Sequence, residues 1–466
     1  MIKDHGAESG TAIMIPFVKV KSQRKSWLKL IVIGWIVGCG LPAWGQSSDT
    51  PTPTETPKAL PDGSYFPSSA EPLTPVNPPG LSPVPYNDPS VGPNVSPNDL
   101  VPRLWFEAEY VSWDVQRNGL APNLLTTGPA SSFGVVGNLG TTSLTPTSLK
   151  FAGIPGGRFT TGIWWTDDQV IGMDATFMFI SRQQLGFTAS SDANGDQTLT
   201  RPFYDVNTNQ QSGLSVSSPG AFAGSVTFQD TFNAWGAEIN PLLIRLRNGE
   251  NFKLYGFIGF RYMDIVEKLS INSYSYTLAN GQASFLGFPQ GPGSALGVAD
   301  IFDTGNRIYA GQFGTRMNFK YRRFGLDITT KAAIGSNYEV SQISGATTSQ
   351  NPPFQTSSLV TAGGLLSGPN NSFRSSAASF IVVPEVNAKL TYNVTDRLSL
   401  MVGYNFLFLS NVIRPENQIL PYVNPAFTPS SPTFGATNLP LQYPLPIFER
   451  TTMFIQGISF GAKFVY

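Results

Sequence analysis

From residue 103 onward, apolar and polar residues alternate one by one. Within 378–392, Phe380, Val382, Val386, Ala388, Leu390 and Tyr392 share one face, and Glu385, Asn387, Lys389 and Thr391 share the other. Within 303–319, Tyr309, Gly311, Phe313, Met317 and Phe319 oppose Gln312, Gly314, Arg316 and Asn318. In 252–270, Phe252, Leu254, Ile258, Phe260 and Tyr262 oppose Lys253, Gly259 and Arg261; in 450–466, Ile458, Phe460, Ala462, Phe464 and Tyr466 oppose Gly457, Ser459, Gly461 and Lys463. Successive side chains of a strand point to opposite faces, so a period of two predicts strands. The polar face is mostly Gly, Ser, Thr, Asn and Gln, and the apolar face repeats large aromatics. A soluble sandwich shows the reverse, with Lys and Glu on its outer face. Apolar-out, polar-in alternation with Tyr and Trp near the ends is the pattern of a transmembrane β-strand. No stretch after residue 103 approaches the 18 consecutive apolar residues of a membrane helix.

The pattern predicts ten strands: 103–115, 156–166, 169–181, 222–240, 252–270, 303–319, 323–338, 378–392, 397–411 and 450–466. Strands two and three, six and seven, and eight and nine join through tight turns, and four and five through a moderate one. The other connections are long and rich in Gly, Pro, Ser and Asn. Short turns on one side and long loops on the other describe an outer-membrane barrel. The predicted fold class is all-β: a transmembrane antiparallel β-barrel of about ten strands (range eight to fourteen) with long extracellular loops.

Register follows from the hairpins. Pairing around Tyr321-Arg322 predicts Arg316 opposite Asp327. At the seam between the first and last strands, Lys463 and Glu107 are expected together near the periplasmic end. Glu238 and Lys253 are expected at similar depths. The lumen-facing acids are Glu107, Glu109, Asp174, Glu238, Asp327 and Glu385. The lumen-facing bases are Arg158, Lys253, Arg261, Arg316, Lys331, Lys389 and Lys463. Six against seven predicts a paired network, because a charge in a low-dielectric interior persists only if paired or wet. Trp164, Trp165, Tyr262, Tyr404 and Tyr466 are expected in the interfacial girdles.

The N-terminus is an address. Lys19, Lys21, Arg24, Lys25 and Lys29 precede and enter a short apolar run, Leu28 to Gly40; Pro42 and the small-x-small triplet Ala43-Trp44-Gly45 follow. This predicts a secretory signal over 1–45, cleaved before Gln46, with Met14 as an alternative start. Ile36-Val37-Gly38-Cys39 resembles a lipobox, but Pro42 just before Gly45 favours ordinary cleavage. Residues 46–102 hold 15 of the 38 prolines and predict an extended, disordered linker. The barrel is assigned to 103–466.

Composition agrees. The chain of 466 residues is only 13% charged, with 30 basic and 30 acidic side chains, about half the charge of a soluble domain. Removing 1–45, which holds six basic and two acidic residues, leaves 24 against 28, a net charge of −4. Nucleic acid is therefore not an expected partner. The only cysteine and the only histidine, Cys39 and His5, lie in the removed segment. Mechanisms that need His or Cys are excluded, and no enzymatic activity, cofactor or metal is expected. In the loop after strand three, Asp192-Ala-Asn194-Gly-Asp196 has calcium-loop spacing. Gln197 stands where that loop needs glycine and Phe203 where it needs a bidentate Glu, so Asn194-Gly195 reads as a turn.

Several segments carry a family resemblance: WFEAEYVSW (105–113), GGRFTTGIWW (156–165), IGMDATFMFI (171–180), LTRPFYDVNT (199–208), AWGAEIN (234–240) and LYGFIGFRYMDIVEKLSI (254–271). Together they resemble the putative β-barrel porin family, seventh of that series, a bacterial outer-membrane group. The resemblance implies an outer-membrane barrel and brings no catalytic residues. Expected partners are outer-membrane lipid, the barrel-insertion machinery that reads a terminal aromatic such as Tyr466, and a further copy of the chain in a homo-oligomer. A ten-stranded bore is only slightly wider than the filled eight-stranded case. The leading functional expectation is a narrow channel for ions or small solutes, lined by the acids and bases named above. The alternative is a closed barrel with a structural or loop-display role, including adhesion.

Overall fold

Ten antiparallel strands pair edge to edge into a ring: β1 (Leu104–Val115), β2 (Ile154–Trp164), β3 (Ile171–Ser190), β4 (Phe222–Asn248), β5 (Phe252–Thr277), β6 (Ala295–Tyr321), β7 (Phe324–Asn351), β8 (Arg374–Asn393), β9 (Leu398–Ile413) and β10 (Arg450–Val465). Each pairs with its neighbours in sequence, and β10 closes on β1. The seam runs without interruption from Trp105↔Val465 to Val115↔Ile455. Closure leaves no edge inside the bilayer, where an unpaired backbone group has no water to turn to. This computed structural model describes residues 103–116, 123–146, 151–353, 355–436 and 441–466. The signal segment 1–45 and the proline-rich stretch 46–102 lie outside the described residues.

The outer face carries the predicted aromatics. Phe106, Phe159, Phe260, Phe313, Phe380, Leu390 and Phe460 are exposed on the wall. The band has an aromatic upper border, with Trp235–Tyr262 and Tyr262–Tyr309 ring centroids both 5.1 Å apart. Phe252–Phe319 and Phe324–Tyr392, at 4.8 and 5.2 Å, mark the periplasmic border. Along β5 the band runs from Phe252 to Tyr262. At about 3.3 Å per residue and a tilt near 40°, it stands about 25 Å tall, the height of a bilayer's apolar core. Just above it the outer face turns ionic, with Asp264–Arg307 at 3.9 Å and Lys268–Asp303 at 3.7 Å.

The strands are longer than the alternation predicts. β6 begins and β7 ends well above the band, so the connections 278–294 and 352–373 are shorter than expected. β4 also runs past the predicted end at Asn240. Pro241, the next residue, does not end the strand, because it sits at a bulge between Ile239 and Leu242. β4 therefore continues to a short turn at 249–251. Lys253 then faces Asn248, and Glu238 faces Arg261, which corrects the expected Glu238–Lys253 level. The β6–β7 turn is Arg322-Arg323, one residue later than predicted, with Arg322 at φ 55°. Asp327 consequently faces Asn318, and Arg316 faces Thr329. A two-residue slip keeps every side chain on its face, so alternation alone could not detect it.

The loops form a cap of their own. Thr126–Thr127, Thr142–Ser143, Leu199–Asp205, Gln210–Ser217 and Tyr422–Val423 make a small sheet drawn from three separate loops. Beneath it, Leu125, Leu199, Phe203 and Val423 pack with Phe228, Ile271, Phe302 and Leu365 over the upper mouth of the ring.

Lower down, a second apolar cluster crosses the lumen, and every strand contributes: Trp113, Ile154, Met178, Phe232, Met263, Ile308, Ala333, Ile381, Leu407 and Ile455. Two glycines make room for its largest member: a Cβ on Gly156 or Gly457 would lie 2.5 or 2.9 Å from the Trp113 ring.

The band makes a testable distinction. Ile258→Arg, near mid-band, should destabilise the barrel by about 2–4 kcal/mol, and Val266→Arg, above the ionic border, by about 1 kcal/mol or less. Urea unfolding in phospholipid vesicles measures both; equal costs would misplace the band.

Candidate functional site

The strand alternation that sends aromatics outward sends charge inward. Directly below the apolar disc, β2, β4, β5, β7 and β8 point Arg158, Glu238, Arg261, Lys331 and Glu385 at one another, all buried. Lys331 Nζ donates to both oxygens of Glu238 at 2.8 Å and lies 3.3 Å from Glu385. Arg261 Nη2 donates to Glu385 and lies 3.2 Å from Glu238. Arg158 contacts Glu385 at 3.3 Å and donates to Asn387 and Asn405 at 2.7 and 2.9 Å. Gln312 Nε2 donates to Glu238 at 2.8 Å and to Asn240 at 2.7 Å. The core is thus two carboxylates shared among three cations, tied to the wall by amides.

The rest of the predicted set lies toward the periplasm. Lys389 Nζ donates to Glu107 at 2.8 Å and to Glu109 at 2.6 Å, and Lys463 meets Glu107 at 3.0 Å across the seam as expected. Arg316 pairs with Asp174 at 2.8 Å across the lumen rather than with Asp327, which accepts from Asn318 instead. Lys253 takes no part; it lines the periplasmic mouth. With Lys253 at the mouth, the inner layer holds six acids (Glu107, Glu109, Asp174, Glu238, Asp327, Glu385) and six bases (Arg158, Arg261, Arg316, Lys331, Lys389, Lys463). It balances at zero, the condition under which so much buried charge is tolerable.

Little space remains. A mouth of about 440 Å³, lined by Trp105, Trp164, Tyr255 and Lys253, opens to the periplasmic side. Above it, a cavity among Glu107, Arg158, Asn240, Lys331 and Lys463 has about 40 Å³, room for a few waters at about 10–15 Å³ each. Trp164 departs from the girdle reading: it turns into the mouth and stacks on Trp105 and Tyr255 at 5.1 and 5.3 Å. Trp165, Tyr404 and Tyr466 are exposed, and Tyr262 lies in the upper aromatic row.

Several ion pairs higher in the barrel were missed. Arg414, in the loop after β9, donates to Glu267 at 2.9 and 2.7 Å; Arg450 donates to Glu339 at 2.8 Å. Arg201 supplies the role that the Arg201-Pro202-Phe203 segment lacked in sequence. Its guanidinium, fully buried, lies 2.5 Å from Asp300 on β6, and Asp300 also accepts from the backbone N–H of Leu366 and Ser367 at 2.8 Å. One carboxylate therefore pins two loops to the wall. Glu267 shares the lumen parity of Lys253 and Arg261 and was legible. Arg414 and Arg201 sit in aperiodic loops and carried no such signal. Asp192 caps its own turn, accepting from the N–H of Asn194 and Asp196 at 2.9 and 2.8 Å. Among the described residues no group of three or more His, Cys, Asp or Glu is placed to hold a metal ion.

The family model for putative beta barrel porin-7 matches residues 105–466, the whole ring. The chain belongs to that family. It is an outer-membrane β-barrel, and it is sited in the bacterial outer membrane. No curated protein matches it. Among solved structures it is similar to the outer membrane protease OmpT from Escherichia coli, at 10% identity and TM-score 0.34, over 78% of this chain and 97% of that one. A Pseudomonas aeruginosa FadL homologue matches at 8% identity and TM-score 0.20, covering 78% and 90%. The P. putida toluene transporter TodX matches at 9% and 0.19, covering 78% and 90%.

The ion layer predicts a large cost for breaking it. Glu385→Ala leaves Arg158, Arg261 and Lys331 short of one counter-charge and should cost about 3–5 kcal/mol. Arg261→Met combined with Glu385→Leu should cost clearly less than the sum of the single changes. Denaturant unfolding in vesicles reads this coupling; strict additivity would mean the pair does not act as a unit.

Proposed function

We propose that this barrel is closed to solutes and that its working surface is the loop-built extracellular cap. The observation that carries this reading is the apolar disc, to which all ten strands contribute, lying directly on a charge-balanced ion layer. A hydrated ion crossing the lumen meets two barriers of opposite chemistry. Among the described residues the disc offers one polar group, the unpaired Trp113 indole N–H, which cannot coordinate a cation, and the layer beneath holds a cavity of only about 40 Å³. The narrow channel expected from the sequence requires both to be displaced at once, with the loss of several buried ion pairs. The cap, by contrast, is built as a structured object, with a sheet, its own core, and Arg201 and Asp300 locking it to the ring. A wall that only had to hold itself in lipid would not need it.

The wider account is of a chain secreted on its 1–45 signal, cut near Gly45 and inserted through its terminal aromatic strand, with 46–102 as a periplasmic tether. It performs no catalysis. Its standing partners are lipid on the wall and ligands at the cap.

Planar-bilayer recordings of residues 46–466, folded and checked by circular dichroism, test the closed state. The wild type should show no discrete steps. The triple variant Trp113→Ala, Phe232→Ala, Met263→Ala, which hollows the disc, should show small ones if it retains the fold. Reproducible steps from the wild type would overturn the reading in favour of a channel.

A further inference from the structure

The cap encloses a cleft of about 540 Å³ against the upper rim of the ring, within the volume range of small-molecule sites. Three loops wall it. The hairpin Leu199–Asp205/Gln210–Ser217 forms one side, and a second hairpin, Ala283–Phe285 with Phe288–Gln290, forms another. The second hairpin turns through Leu286 and Gly287, both at positive φ, and Leu286 N–H donates to Pro429 O at 2.7 Å. That bond ties it to the third wall, residues 425–433. The floor is part of the upper core, including Leu296 and Leu365. The cleft is thus held by packed elements from several loops.

Its lining is specific in chemistry. Phe203 and Phe222 present apolar rings, and the polar positions are almost all hydroxyls. Among the described residues no Lys or Arg lines it, and the one carboxylate, Asp205, accepts from the Asn207 N–H at 2.9 Å. Two of the hydroxyls, Ser284 Oγ and Ser430 Oγ, are turned in from the cleft surface and have no hydrogen-bond partner among the described residues, so no bond holds either side chain back from rotating toward the cleft. A buried hydroxyl without a partner costs free energy that a ligand's own hydroxyl recovers. A hydrocarbon would leave both unsatisfied, and a site built this way discriminates strongly against a ligand that lacks the matching group. An anionic ligand would find no counter-charge.

We propose that this cleft is a binding site for a neutral carbohydrate, whose hydroxyls draw the Ser284 and Ser430 side chains round to meet them while its C–H faces lie on Phe203 and Phe222. The proposal rests on the cap being the working surface and names what that surface takes.

The test uses the refolded chain, residues 46–466, in a detergent without a sugar headgroup. Isothermal titration compares glucose, galactose and maltose with toluene and with sodium sulfate as probes. At least one neutral sugar should bind with a Kd of about 1 mM or tighter, with neither toluene nor sulfate binding comparably. Ser284→Ala combined with Ser430→Ala should weaken that binding about tenfold or more, and Ser215→Trp, which fills the cleft from one wall, should abolish it. Heat-modifiable mobility on a gel verifies that each variant is folded. No binding by any of the three sugars, preferential binding of toluene, or sugar binding that survives both variants would overturn the proposal. Conductance is recorded separately, so a silent barrel that binds no sugar sinks this inference alone, and a conducting barrel sinks the closed-lumen reading.

Discussion

The pairing of β1 with β10 is the constraint on which the rest depends. In lipid, every backbone N–H and C=O must be satisfied within the protein, and an open ten-stranded sheet would leave two edges bare. Closure solves that and creates a second demand. The sheet's inner face now surrounds a narrow space cut off from both membrane and bulk water, and whatever fills it must satisfy itself. The outer wall can be uniformly apolar because lipid asks nothing more of it; the inner wall cannot.

The chain meets the inner demand by layering. At the periplasmic mouth, Trp105, Trp164 and Tyr255 pack ring against tilted ring. Six acids and six bases follow, joined so that Glu238 and Glu385 are each shared among Arg158, Arg261 and Lys331. Above them lies the apolar disc, then further ion pairs, then the core of the cap. Each layer shields the next from water, and this strengthens the electrostatics of the ionic one. The same shielding is why the layers block passage. Long strands that rise past the membrane provide the height for this stack and a rigid base for the loops.

Much of this was legible in the sequence, for a definite reason. Alternation with a period of two reports the face of each residue, so the strand number, the lipid-facing aromatics and twelve of the thirteen proposed lumen charges follow directly. Alternation does not report depth. A slip of two residues moved Arg316 from Asp327 to Asp174 without changing a single face, and Pro241 concealed the continuation of β4 that carries Lys253 to the mouth. The disc was equally hidden. Trp113, Met263 and Ile308 occupy the polar parity of their strands, and such residues look like interruptions of a pattern until ten strands bring them to one level. The cap lay furthest out of reach, because Arg201 and Asp300, 99 residues apart, meet only through the fold.

The central claim is that the disc is dry and continuous. It is tested most directly by placing single cysteines at Met178, Met263 and Met453, one variant at a time, in residues 46–466, which contain no other cysteine. Each is then exposed in proteoliposomes to a charged, membrane-impermeant thiol reagent. The account predicts that all three stay unmodified in the folded barrel and react once it is unfolded, while a cysteine at Lys253 in the mouth reacts in the folded state. Rapid modification of the three disc positions in the folded barrel would show water passing where the structure allows none, and would contradict the closed lumen.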